Sequence, residues 1–439
     1  MTDIELLIVP RWVVPVIPRA CVLEDHAVAV HEGRILDVLP QELARVRYRA
    51  RQHVVLPGHA LIPGLINLHT HAAMTLMRGL ADDLPLMRWL REHIWPTENA
   101  CLSDEFVYDG TQLACAEMIA GGTTCFSDMY FYPMAAAAAV EQSGMRACLG
   151  LTVLEFPTPY AVDAEDYLTK GLSARDALRD KPRITTCLAP HAPYTIADRT
   201  FERMLVYAAQ LDLNLHIHLH ETRDEIAQSE SRYGIRPIQR LARLGVLGPN
   251  LIAAHGVYLT SQEIELLSER GCHIAHCPTS NLKLGSGIAP VAELLGRGVN
   301  VGLGTDGAAS NNRLDMFAEM RLAALLAKGA SHDAEALPAW QALECATINA
   351  ACALGMEQSI GSIEAGKCAD LVGVDLFTLE TQPCYDVVSD LVYSAARNQV
   401  THVWVDGVAL LDEGQLTTLD KMELLERTKT WQKRLRKPH

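Results

Sequence analysis

The chain has 439 residues, 49% of them hydrophobic and only 6% aromatic, with a formal net charge of −15. That length accommodates one large barrel plus a small domain, and the acidic balance argues against a general nucleic-acid binder. The stretch from Met1 to Glu5 lacks a secretory pattern and no run of eighteen apolar residues exists, so no membrane span is expected. Twelve cysteines are scattered without a C-x-x-C pair, which predicts reduced, buried thiols of a cytosolic protein.

Residues 1–57 read as short strands without a helical period. Leu6-Leu7-Ile8-Val9, Trp12 to Ile17 and Ala27-Val28-Ala29-Val30 are apolar runs rich in β-branched residues, broken by prolines, acids and Gly33. The same texture returns in Ala369 to Val374 and Val403 to Val408, within residues 366–439. A small β-sandwich domain built from both termini, closed by a terminal helix, is the expectation.

Residues 58–365 alternate strand and helix. Eight apolar runs with strand character end near His71, Asp128, Leu154, His191, His220, His255, Asn281 and Asp306. Helical stretches lie between most of them, for example Met134 to Glu141, Arg199 to Leu211, Gln262 to Arg270, Ala289 to Arg297 and Asn312 to Lys328. This alternation predicts parallel strands with crossover helices, an α/β fold of the TIM-like (β/α)8 barrel type. An open doubly wound sheet finds no support, because neither G-x-G-x-x-G nor a phosphate-loop motif occurs.

In such a barrel, polar residues at the carboxyl ends of strands converge on one mouth. Here those ends carry His69, His71, His191, His218, His255 and Asp306. His69 and His71 alternate onto the same face and can share a metal. The fifth strand, Leu215-His216-Ile217-His218-Leu219-His220-Glu221, puts three imidazoles on one face, so alternation does not choose among His216, His218 and His220. Asp306, before Gly307, reads in isolation as a turn residue; at the end of the eighth strand it can bind a metal or accept a proton. Imidazole and carboxylate without thiolate suit Zn²⁺, and also Fe²⁺ or Mn²⁺.

The ordered set His69-Thr70-His71, His218-Leu219-His220-Glu221, His255 and Gly304-Thr305-Asp306-Gly307 resembles the amidohydrolase superfamily. The runs Ser280-Asn281-Leu282-Lys283-Leu284-Gly285-Ser286-Gly287 and Gly304 to Asn312 resemble its branch of deaminases acting on 5′-methylthioadenosine and S-adenosylhomocysteine. The resemblance implies a purine nucleoside as small-molecule substrate, a cytoplasmic enzyme, and a homo-oligomer (dimer or tetramer), with no nucleic-acid or membrane partner. It selects His218, three residues before Glu221, as the third histidine ligand beside His69, His71 and Asp306. The fourth strand, Arg183 to His191, holds no lysine or glutamate of the kind that bridges two metals in other members, so one metal is implied.

The same resemblance implies hydrolytic deamination. Asp306 takes a proton from the attacking water, Glu221 protonates the ring nitrogen next to the reacting carbon, and His255 stabilises the developing charge. Glu98, in Leu86 to Glu98, matches a carboxylate that holds ribose hydroxyls, and His191 matches a substrate-contacting histidine. Trp89 is a candidate lining residue. Members that take S-adenosylhomocysteine well carry an arginine just after the third strand, and alignment through Met145-Arg146-Ala147 puts Leu151 there. A carboxylate without a cationic partner loses hydration uncompensated, so a preference for 5′-methylthioadenosine is expected. Alternatives within the fold are a guanine or 8-oxoguanine deaminase and a triazine hydrolase. Glu98 favours a ribosylated substrate and Glu221 favours deamination. A non-catalytic scaffold barrel is disfavoured because all four ligands and Glu221 are retained.

Overall fold

The computed structural model describes residues 1–436. Eight parallel strands run side by side in chain order: Leu65–Thr70, Thr123–Tyr130, Arg146–Val153, Ile184–Pro190, Leu215–Leu219, Leu251–His255, His273–His276 and Asn300–Leu303. The first three and the fifth to seventh are buried along their whole length, which is why they read as continuous apolar runs rather than alternating ones. Helices such as Pro133–Ser143, Asp198–Leu211, Ser261–Glu269 and Val291–Gly296 separate them and Met316–Ser331 follows the last, close to the stretches expected from periodicity.

The ring closes where the eighth strand meets the first. A Cβ on Gly302 would lie 2.6 Å from Leu68 Cδ2, and one on Gly304 would lie 2.8 Å from the His69 backbone nitrogen. Glycine at both positions lets the strands approach. Asn67 then clasps Thr305 through its side chain, donating to Oγ1 at 2.7 Å and accepting from the backbone N–H at 2.9 Å. Just beyond, Asp306 N–H donates to His69 O at 2.9 Å. Closure therefore delivers Asp306 beside His69.

The second sheet is mixed and nine-stranded. Its path runs Gln415–Leu416, Val408–Asp412, Val400–Val405, Leu371–Asp375, Tyr48–Pro63, Thr2–Val13, His26–His31 and Arg34–Pro40, with Leu23–Glu24 paired to Thr2–Val13. The two chain ends meet where Leu371–Asp375 pairs antiparallel with His59–Pro63. The N-terminal share of this sheet thus runs to Pro63, six residues past the composition break at 57. The terminal helix Lys421–Leu435 lies on the barrel helix Asp104–Ile119, where Trp431 Nε1 donates to Asp109 at 2.8 Å and its ring meets Phe106 edge-on at 5.3 Å.

Three local expectations are corrected. Gln41–Arg47 forms a helix inside the strand-rich N-terminal part, with only Ala44 buried, so its apolar signal is too weak to read. The seventh strand stops at His276, because Pro278 opens the short helix Pro278–Lys283 that carries Asn281. Of the twelve free cysteines seven are buried, whereas Cys352 is exposed.

Candidate active site

At the carboxyl end of the barrel, His69, His71, His218 and Asp306 each present one donor atom, all within 4.8 Å of one another. The arrangement of hydrogens explains what they require. His71 Nδ1 lies 2.6 Å from Met129 O and His218 Nδ1 lies 2.8 Å from His191 O. Carbonyls only accept, so both Nδ1 atoms carry hydrogen, and each neutral ring turns a lone pair inward on Nε2. These two Nε2 atoms are 3.2 Å apart. His69 is fixed through Nδ1 to His216 Nε2 at 2.9 Å, and its buried Nε2 has no hydrogen-bond partner. Asp306 Oδ1 stands 3.4 Å from His69 Nε2 and 3.2 Å from His71 Nε2. Three lone pairs and a carboxylate facing one another repel unless a cation sits among them, and the donor set fits a single divalent ion.

The electrostatics carry the same message. Burial would push His71 down, yet the hydrogen bond and charge of Asp306 override it and raise His71 to about 9. Burial works against the Asp306 carboxylate as well, but His69 and His71 hold it well below the ordinary range. His69, dominated by burial, falls to about 4. Proton and metal compete for one position, so ion affinity weakens as pH falls.

The strand ends are bent to make the site. His220, His255 and Asp306 have φ of 55°, 77° and 62°, left-handed values uncommon for residues other than glycine. At His220 this breaks the alternation, so the expected shared face of three histidines does not form. His216 stays inside behind His69, with Ser127 Oγ 3.2 Å from its Nδ1, and His218 faces the cavity. His220 turns away: its Nδ1 meets Tyr258 O at 3.0 Å and its Nε2 accepts Ile238 N–H at 3.1 Å.

Asp306 is held from behind as well. Its Oδ2 accepts from Ser280 at 2.6 Å and Ser310 at 2.7 Å, and Oδ1 accepts from Gly307 N–H at 2.8 Å. Asn281 Oδ1 takes the Nδ1 hydrogen of His255 at 2.8 Å, leaving His255 Nε2 3.8 Å from Glu221 Oε2. Glu221 accepts from Ser286 at 3.3 Å, and burial raises its carboxyl against the charge of His255. Ser280, Asn281 and Ser286 belong to a run conspicuous in the sequence, but nothing there tells which of them grips which side chain. Tyr130 carried no signal of its own.

These groups open into one cavity of about 320 Å³, within the range of small-molecule sites. His71, His191, His218, Glu221, His255 and Asp306 lie on its wall. Burial pushes His191 down to about 3, so it is neutral at ordinary pH. The helical segment Leu86–Cys101 contributes Trp89, Leu90, Ile94, Trp95 and Glu98. Glu98 accepts from Tyr130 OH at 2.7 Å, and burial outweighs that bond to raise the carboxyl to about 7. Trp95 and Phe156 meet edge-on at 6.0 Å, and Leu154, Pro157 and Thr158 continue this apolar wall. No lysine or arginine lines the cavity among the described residues.

Leu151 is the exception to the expected site. It lies within the third strand, not after it, and points outward, where a Cβ on Gly171 would come within 3.1 Å of the Leu151 Cβ. Alternation gives the inward position to Thr152. Leu151 is therefore corrected from a cavity residue to a packing residue between strand and helix.

Comparison with known proteins agrees with this geometry. Residues 60–410 match the model of the amidohydrolase family. A protein of Saccharophagus degradans named 5-methylthioadenosine/S-adenosylhomocysteine deaminase is 46% identical over 98% of this chain and 97% of its own. The crystal structure of an adenosine deaminase from Xanthomonas campestris with bound zinc is 50% identical, covers 99% of both chains and superposes with a TM-score of 0.98. An atrazine chlorohydrolase from Arthrobacter aurescens, 23% identical over 97% of this chain and all of its own with a TM-score of 0.88, shares the fold. The chain belongs to the amidohydrolase family, in its branch of 5-methylthioadenosine/S-adenosylhomocysteine deaminases.

Proposed function

We propose that the protein removes the 6-amino group of an adenine nucleoside by hydrolysis, with 5′-methylthioadenosine preferred over S-adenosylhomocysteine. The observation that carries this reading is one cavity lined by three carboxyl groups, Glu221, Asp306 and Glu98, and by no lysine or arginine among the described residues. The relatives named above support it. The Saccharophagus protein is named for 5-methylthioadenosine and S-adenosylhomocysteine and the Xanthomonas protein for adenosine, compounds that share the adenine nucleoside and differ at the 5′ position.

His69, His71, His218 and Asp306 would hold a divalent ion, with zinc favoured by the donor set and by the zinc in the Xanthomonas structure. When bound, such an ion brings the pKa of water to about 7. The chain's own groups do the rest. Asp306 accepts the proton of the attacking water, its Oδ2 kept in place by Ser280 and Ser310. Glu221, its carboxyl raised by burial, donates to the ring nitrogen beside the reacting carbon. The carbon–oxygen bond forms, the carbon–nitrogen bond breaks, the proton first taken by Asp306 leaves with ammonia, and the remaining hydroxyl proton returns to Glu221 as the carbonyl forms. His255, oriented by Asn281 through Nδ1, points Nε2 into the cavity, where it donates to the developing oxyanion when both ring nitrogens carry hydrogen. Neutral His191 contacts the base. Glu98 accepts both ribose hydroxyls, a task suited to a carboxylate. The Trp95–Phe156 wall accommodates a methylthio group, whereas an amino-acid carboxylate finds no counter-ion there.

The direct test is ammonia release by zinc-loaded protein from 5′-methylthioadenosine, S-adenosylhomocysteine, adenosine and guanine, side by side. Turnover of methylthioadenosine well above the rest is expected. Equal use of S-adenosylhomocysteine would refute the argument from the uncharged wall. Turnover of guanine alone would remove the role given to Glu98.

A further inference from the structure

We infer that Glu225 is a positioning residue for Glu221: its carboxylate clamps the bent end of the fifth barrel strand and thereby aims the proton donor into the cavity. This rests on the reading of Glu221 as that donor. Glu225 Oε1 accepts His220 N–H at 2.9 Å, and Oε2 accepts Glu221 N–H at 2.8 Å. Both atoms of one buried carboxylate are thus committed to two successive backbone groups at the strand terminus. They flank the turn at which His220 becomes left-handed.

That turn decides which residue reaches the cavity. In a continued strand His220 would face inward with His216 and His218, and Glu221 would face outward. With φ of 55° at His220 the order reverses: the His220 ring leaves toward Tyr258 and Ile238, and Glu221 lines the cavity. A left-handed non-glycine conformation persists only where its surroundings over-determine it. Glu225 supplies that constraint from one side and the two ring hydrogen bonds of His220 from the other.

An ordinary helix cap does not account for the geometry. Glu225 stands at the third position of the helix Arg223–Tyr233, whose cap residue Thr222 accepts from Glu225 N–H. The reciprocal arrangement returns that glutamate to the cap residue's own N–H. The protein contains that form two helices later: Glu263 accepts Thr260 N–H at 2.8 Å in a complete capping box. Glu225 instead passes over Thr222 to the two residues before it. It is only 4% exposed and forms no ion pair with any described lysine, arginine or histidine; burial raises its carboxyl to about 8, against the two strand-end N–H groups that favour the ionised form.

The test compares Glu225→Gln, Thr222→Ala and Glu221→Gln in zinc-loaded protein, reading kcat, KM, metal content and thermal unfolding. Glutamine keeps one acceptor and sets its NH2 against a backbone N–H. We expect Glu225→Gln to lower kcat about 30-fold with KM within 3-fold of wild type and full metal content. Affinity for purine riboside, whose hydrate takes the same ring proton, should fall by the same factor. Thr222→Ala, which weakens the cap alone, should lower the unfolding temperature and leave kcat within 2-fold. Should Glu225→Gln not fold, Glu225→Asp, with both oxygens but one methylene less, should also lower kcat at constant KM. Wild-type kcat in Glu225→Gln with Glu221→Gln inactive would overturn the clamp and leave the reaction standing. Equal losses of kcat in Thr222→Ala and Glu225→Gln would reduce Glu225 to a cap and overturn it too. Wild-type turnover by Glu221→Gln would instead remove the reading on which the clamp rests.

Discussion

The two ends of the barrel both bury charge, and they bury it in opposite ways. At the amino end Arg146, 4% exposed, donates to Asp370 at 3.0 and 3.2 Å, to Asp406 at 2.7 Å and to Pro182 O at 3.5 Å. Asp370 also accepts Asp406 N–H at 2.9 Å. Every nitrogen of the guanidinium has an acceptor, and the cluster ties the third barrel strand to the small sheet. At the carboxyl end acceptors outnumber donors: His69 Nε2 has no partner, and the Nε2 atoms of His71 and His218 face each other with Asp306 beside them. Burial of charge is common to both ends, so it does not mark a site. The balance of donors and acceptors does, because only the carboxyl end is completed by something the chain lacks.

Breaking each end should therefore damage a different property. Asp306→Asn removes one donor to the ion and the proton acceptor together. It should lower kcat/KM by at least about 10⁴-fold in the ammonia assay. Its unfolding temperature should stay level or rise, as is usual when a strained, charged site is relaxed. Arg146→Met leaves Asp370 and Asp406 without their cation and should cost about 3–5 kcal/mol in denaturant titration. The kcat of its folded fraction should match wild type. A loss of kcat in Arg146→Met at unchanged stability would show that the amino end is not merely structural.

The sequence reveals this contrast only in part. The eight apolar runs and the residues that end them predict the barrel and its mouth, since period and position along the chain are local properties. Which histidine of the fifth strand faces the cavity is not local: it depends on the left-handed turn at His220, held by Glu225 and by ring contacts to Tyr258 and Ile238. Leu151 fails for a related reason. Alignment locates a residue along the strand but not its face, and one step moves the inward position to Thr152. The grip of Ser280 and Ser310 on Asp306 joins the segment after the seventh strand to the end of the eighth and the turn beyond it, a contact for which no periodic signal exists.

A smaller effect sharpens the substrate side of the carboxyl end. Since Leu151 points outward, the arginine that would test the uncharged wall belongs at Phe156, which lines the cavity at the loop after the third strand. Phe156→Arg should shift the ratio of kcat/KM for S-adenosylhomocysteine over 5′-methylthioadenosine about 10-fold upward, as one charge-assisted contact of about 1.4 kcal/mol would. An unchanged ratio would mean that the 5′ group lies elsewhere in the cavity.

The smallest effect concerns pH and Glu98. Burial raises this carboxyl from its usual 4.5 to about 7, against the hydrogen bond from Tyr130 that lowers it. The ionised form accepts both ribose hydroxyls, so KM for a ribonucleoside should rise several-fold as pH falls through about 7. KM for the 2′,3′-dideoxy analogue should stay flat. Stability runs the other way. Because the folded-state pKa lies above the unfolded one, the folded protein favours protonated Glu98; the contribution is full below 4.5 and is lost as pH rises through about 7. Glu98→Gln should remove that decline from a plot of unfolding temperature against pH and flatten the KM profile with it. Tyr130→Phe, which deletes the hydrogen bond that lowers it, should move the KM inflection above 7. An inflection that stays in place would assign the titration to another group and leave Glu98 ionised throughout, as well balanced as the ion triad at the opposite end.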